Sequence, residues 1–122
     1  MALFDKESIY EIIKASKEIT PLAEQDGWTI SDVIVKLNEE TGEFAEASLI
    51  KQGKITSKGS FEYEADYEEA ADVIICVVDA LTRLNPETNQ AFIYTKLLKH
   101  LDQKRAKWVN KVKGEYKNDD AA

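Results

Sequence analysis

Four acids in this chain are spaced for joint action. Glu40 and Glu43 stand three apart in Lys36-Leu37-Asn38-Glu39-Glu40-Thr41-Gly42-Glu43-Phe44-Ala45-Glu46, and Glu69 and Asp72 stand three apart in Tyr67-Glu68-Glu69-Ala70-Ala71-Asp72-Val73. At about 3.6 residues per turn, residues i and i+3 share a helical face, so each pair presents two carboxylates side by side. Carboxylates in apolar helical surroundings are costly unless something positive meets them. Two such pairs offer oxygen donors only, which suits Mg²⁺, with Mn²⁺ as a substitute. Zinc favours His or Cys, and the chain has one of each, His100 and Cys76. A di-iron carboxylate bundle uses two Glu-x-x-His motifs, which one histidine cannot supply.

Acidic runs on helices are usually a solvated face, and that bland reading competes here. Three features weigh against it. Glu40 lies near the line of Leu37 and Phe44, on the core side. Gly42 costs roughly 1 kcal/mol in a helix interior, which suggests close approach of another group. Asp72 is flanked by Ala70, Ala71, Val73 and Ile74, which leaves little room for a fully solvated face.

The elements that hold these acids are helices. Only 5 glycines and 2 prolines punctuate 122 residues, which favours helices over a many-turned β-fold. Ser8 and Glu11 have the form of a capping box, and Ile9, Ile12, Ile13 and Ile19 follow at helical spacing. They predict a first helix from about Asp5 to Ile19, ended near Pro21. A second begins at Thr29-Ile30-Ser31-Asp32 and runs to about Gln52, with Gly53 as its C-terminal cap. A polar loop over 53–60 leads to a third helix, from Phe61–Glu64 to about Leu84, with Val73, Ile74, Val77, Val78 and Leu81 as its core. The second half of this helix is apolar nearly all round, so it should be central. A fourth runs from Pro86 to Lys113, with Gly114 beyond it and a frayed tail over 118–122. Four helices with short connections predict one all-α domain of the four-helix-bundle type, over 1–122.

Composition narrows the partners. The net charge is −7, yet 8 of the 16 Lys/Arg and only 4 of the 23 Asp/Glu lie after residue 95. The acidic body is no platform for nucleic acid or an anionic membrane, while the C-terminal strip is basic. A single cysteine forms no internal disulfide, which fits a cytoplasmic setting. The longest apolar run, Val73 to Val78, is far too short to span a bilayer, and the first residues lack the pattern of a signal peptide.

Glu39-Glu40-Thr41-Gly42-Glu43 has the form EExxE, and Glu69-Ala70-Ala71-Asp72 has the form ExxD, 26 positions beyond Glu43. This combination resembles the all-α NTP pyrophosphatase superfamily in its MazG-like branch. The likeness covers the second and third helices and their spacing, and the helix order of nearly the whole chain is compatible with it. It implies hydrolysis of a nucleoside triphosphate, commonly a deoxynucleotide, to the monophosphate and pyrophosphate. It further implies a homodimer or homotetramer that completes the fold, and Mg²⁺ held by Glu40, Glu43, Glu69 and Asp72. Glu39, ranked above Glu68, would hold a second ion or orient the attacking water.

Related pyrophosphatases carry a Lys and an Asn/Arg cluster after ExxD to hold phosphates. His100-Leu101-Asp102-Gln103-Lys104-Arg105 matches that cluster only loosely, with Lys104 where an Asn is expected and His100 where a Lys is often found. Lys104 and Arg105 lead the phosphate-binding candidates, followed by Lys51 and Lys54. Trp28 heads the aromatics that could stack on a base, ahead of Tyr63, Tyr67 and Trp108. Cys76 stands where some relatives have an aromatic, and Asp79 reads as a buried acid without an assigned partner. Two alternatives stand beside the pyrophosphohydrolase. One is a relative acting on dUTP or a phosphoribosyl nucleotide, and the other is a non-catalytic helical module for assembly or binding.

Overall fold

The computed structural model describes residues 7–56 and 64–121, with side chains described over 8–56 and 64–115. Among these residues there are four helices and no strand: α1 (Glu7–Gln25), α2 (Ile30–Lys51), α3 (Ala65–Leu84) and α4 (Gln90–Ala121). The chain divides into two compact units, Met1–Glu87 with α1 to α3 and Thr88–Ala122 with α4.

Helix α1 passes through Pro21 and ends at Gln25, beyond the predicted end at Ile19. Proline removes one helical hydrogen bond and crowds the carbonyl four residues before it, a cost that the turns on either side of Pro21 override. The stop is set instead by Gly27. Its φ of 81° lets Gly27 N–H reach Glu24 O at 3.0 Å and Trp28 N–H reach Ala23 O at 3.0 Å, a Schellman closure. The capping box expected at Ser8 does not start this helix, which is already under way at Glu7.

Helix α2 begins as predicted. Thr29 caps it, Asp32 N–H donates to Thr29 Oγ1, and Thr29 N–H donates to Asp32 Oδ2 at 2.7 Å. These reciprocal bonds hold the Asp32 carboxyl below its ordinary range. At the other end Gly53, with φ 75°, donates to Ile50 O, and Lys54 N–H donates to Leu49 O. This second Schellman closure is the cap foreseen for Gly53.

Helix α3 packs against both α1 and α2. Lys51 near the end of α2 pairs with Asp66 near the start of α3, so these two helices run antiparallel. Ser16 bonds to Asp79, and Thr20 and Arg83 line the same cavities, so α1 and α3 run parallel. The core of this unit holds Ile13, Val33, Ala47, Val78 and Ala80, with Ser16, Glu40 and Thr82 among them. Ile74 and Val77, expected in the core, are 53% and 45% exposed. A helix apolar nearly all round cannot bury every face against two neighbours, so part of the apolar surface of α3 stays open within this unit.

Helix α4 starts at Gln90 rather than Pro86. Asn89 sets that start, since its side chain accepts from Phe92 N–H at 2.8 Å. The helix also passes Gly114 and continues to Ala121, where the sequence predicts a stop and a frayed tail. Glycine inside a helix costs about 1 kcal/mol, which the rest of a 32-residue helix absorbs. No helix of the described residues is long and apolar enough to cross a membrane.

Candidate metal centre

The site is built on the buried line of α2. Val33, Glu40 and Ala47 are all buried and lie seven residues apart, about two turns each. Glu40 therefore occupies the middle of a row otherwise filled by small apolar side chains, and only 6% of it is exposed. The sequence expectation that Glu40 faces inward holds. Gly42 has a different setting from the one expected, because among the described residues nothing outside its own helix turn lies within 4 Å of the Cβ it lacks.

Antiparallel packing brings α3 to the same place. Single carboxylate oxygens of Glu40, Glu43 and Glu69 lie within 4.8 Å of one another. Asp72 is one turn beyond Glu69 and exposed, so it stands outside this cluster. The expectation that apolar neighbours keep Asp72 from solvent fails. On a helix the flanking residues 70, 71, 73 and 74 point in other directions, and they leave position 72 open.

The electrostatics of the cluster are unbalanced. Glu40 Oε2 and Glu69 Oε2 are buried without a hydrogen-bond partner. Burial pushes the Glu69 carboxyl above its usual range, and hydrogen bonding and charge from Glu43, then the charges of Asp72 and Glu40, add to that push. A carboxyl surrounded by acids keeps its proton more readily. Among the described residues Lys36 pairs with the cluster, its Nζ 3.0 Å from Glu40 Oε1. Glu40, and more weakly Glu39 and Glu43, raise the Lys36 ammonium above its ordinary value. Orphaned buried oxygens on hard donors fit a divalent cation such as Mg²⁺. Glu40, Glu43 and Glu69 are the residues that could hold it.

Glu39 is exposed beside Glu40. Lys51 is held by Asp66 at 2.7 Å and lies over the Tyr67 ring, 5.3 Å from its centroid. That clasp lowers the Asp66 carboxyl through the Lys51 hydrogen bond. Lys54 is exposed just past the α2 cap. Lys104 and Arg105 are exposed on α4, in the other unit, where Arg105 reaches Asp102 at 3.6 Å. Trp28 lines a cavity of about 360 Å³ with Thr20, Glu24 and Arg83. Tyr63 lies outside the described residues, and Tyr67 and Trp108 are exposed. Cys76 is half-buried, and its thiol is pushed up by burial and then by the charge of Glu40, which makes it a poor nucleophile.

Three residues of this unit escape the sequence reading. Lys36 stands four before Glu40, the spacing of a helical ion pair, and that signal was available. Ser16 and Arg83 both bind Asp79 Oδ1, at 2.6 and 2.9 Å, so this acid has partners after all. The Arg83 pairing is again at i+4, whereas Ser16 is 63 residues away and carries no local sign. Compared with known proteins, the chain matches no family model, no curated protein and no solved structure.

Proposed function

We propose that the chain is a Mg²⁺-dependent nucleoside triphosphate pyrophosphohydrolase with a MazG-like fold, active as a homodimer or homotetramer in the cytoplasm. The observation that carries this reading is the meeting of Glu40, Glu43 and Glu69 from two antiparallel helices, with two of their oxygens buried and unpaired. These acids come from the EExxE and ExxD motifs; Asp72, the last residue of ExxD, lies outside the cluster one turn beyond Glu69 and would have to turn inward to join the ion. A triphosphate is a polyanion, and a bare acidic surface repels it. Glu40, Glu43 and Glu69 would hold the Mg²⁺, which when bound would supply that missing attraction and charge stabilisation for the phosphoryl group and the leaving pyrophosphate.

The chain's own residues do the rest. Glu39, exposed next to Glu40, accepts a proton from the attacking water and orients it. The water oxygen attacks the α-phosphorus, the α–β anhydride bond breaks, and the monophosphate and pyrophosphate leave. No covalent intermediate is needed, so positioning and electrostatics carry the rate. Trp28, at the cavity beside Arg83, is the residue for stacking on a base. The open apolar residues of α3 support self-association.

Pyrophosphate release from a panel of deoxynucleoside and nucleoside triphosphates, with Mg²⁺, tests the reading. Release should fall by at least about a hundredfold in Glu43→Ala and in Asp72→Asn, the loss expected when charge stabilisation in the transition state is removed. If no nucleotide yields pyrophosphate and Glu43→Ala leaves Mg²⁺ uptake unchanged, the chain is a non-catalytic helical module instead.

A further inference from the structure

We propose that Lys36 is a positioning residue that sets the cation preference of the acidic cluster, by engaging one oxygen of Glu40 and leaving it a single donor; this rests on the metal reading above. Lys36 Nζ lies 3.0 Å from Glu40 Oε1, while Glu40 Oε2 is buried and has no partner. The Glu40 carboxylate is therefore divided. One oxygen belongs to the ammonium at the rim, where the Lys36 side chain is 47% exposed, and the other is left for the interior, where the Glu40 side chain is 7% exposed.

The division matters because the two common hard cations use carboxylates differently. Ca²⁺ takes 6–8 oxygens and often grips a carboxylate by both, whereas Mg²⁺ takes about six in a strict octahedron, one per carboxylate. A cation that gripped Glu40 by both oxygens would have to displace Lys36 from Oε1. Displacing the lysine would give up its i,i+4 ion pair with Glu40, which a cation bound through the other oxygen alone would keep. Lys36 thus leaves the Mg²⁺ mode open and obstructs the bidentate Ca²⁺ mode. Among the described residues the ion pair at the cluster falls on Glu40, so the selectivity is concentrated there.

Calorimetric titration of Mg²⁺ and of Ca²⁺ into the wild type, Lys36→Met and Lys36→Arg tests this, with folding followed by circular dichroism. In Lys36→Met the affinity for Ca²⁺ should rise relative to Mg²⁺ by about fivefold or more, and Lys36→Arg should restore the wild-type ratio. Equal gains for both cations would reduce Lys36 to a bulk charge, and unchanged affinities would reduce it to a surface ion pair. Either result overturns the proposal. Lys36→Ala repeats the measurement with a strong helix former, so a folding defect confined to the methionine variant does not leave the matter open. If the wild type takes up neither cation, the metal reading itself falls, and this one falls with it.

Discussion

Ser16 Oγ donates to Asp79 Oδ1 over 2.6 Å, joining α1 to α3 across 63 positions of sequence. Arg83 Nε donates to the same oxygen at 2.9 Å, and its side chain is only 6% exposed. The two donors should differ in weight. Ser16→Ala removes one hydrogen bond from a carboxylate that keeps another, at a cost of about 1–2 kcal/mol. Asp79→Ala strands a buried guanidinium, at a cost of about 3–5 kcal/mol. Urea unfolding of the two variants checks the order, and equal costs would mean that the Arg83 pairing adds nothing.

Glu69 makes stability depend on pH. Its folded pKa is raised above the ordinary 4.5, first by burial and then by Glu43. A raised carboxyl favours the folded state when protonated, so its contribution is fully present below 4.5 and is lost as pH rises through the folded value. With chelator present, thermal melting of the wild type should therefore improve as pH is lowered toward that window. Glu69→Gln should flatten this dependence and melt higher than the wild type at neutral pH. A variant that is less stable at neutral pH would show that the Glu69 charge is already compensated.

Gly42 and Gly53 should respond oppositely to alanine. Gly42 is mid-helix with nothing near its missing Cβ, so Gly42→Ala should stabilise by about 1 kcal/mol. Gly53 has a φ of 75°, and Gly53→Ala should destabilise by about 1 kcal/mol. Denaturant midpoints of the pair decide this. A loss at Gly42 would reveal a close neighbour supplied by a second copy of the chain.

Tyr67, Ile74, Val77 and Leu84 follow one another on α3 at intervals of seven, three and seven, and all are exposed. That is the rhythm of a helix seam. If the chain associates through it, Ile74→Asp should weaken the assembly about tenfold or more, read by sedimentation over a concentration series. An unchanged assembly would place the contact elsewhere.

Much of the fold is legible locally. The Thr29 and Asp32 capping box and the Gly53 closure announce both ends of α2, because the residues that make them are neighbours. Pro21 and Gly114 mislead, since each disfavours a helix interior by an amount that the surrounding helix can override. The inward aim of Glu40 follows its seven-residue spacing from Val33 and Ala47, whereas Phe44, used to read it from sequence, is exposed. The exposure of Asp72 cannot be read from its flanking residues, because neighbours in sequence are not neighbours on a helix surface. What α3 buries depends on how many partners it meets, and periodicity does not count partners.

The carboxylate cluster also gives the three-helix unit a gradient of firmness. Toward Arg83, α3 is tied to α1 by the Ser16–Asp79 hydrogen bond, and Arg83 of α3 itself holds the same carboxylate. Toward Glu69, like charges press against one another between α2 and α3. Such local frustration concentrates transient opening in one place. In amide hydrogen exchange without divalent ions, the residues around Glu40 and Glu69 should lose protection sooner than those around Ser16 and Asp79. The fold would then breathe at the end where chemistry is proposed and stay shut at the other.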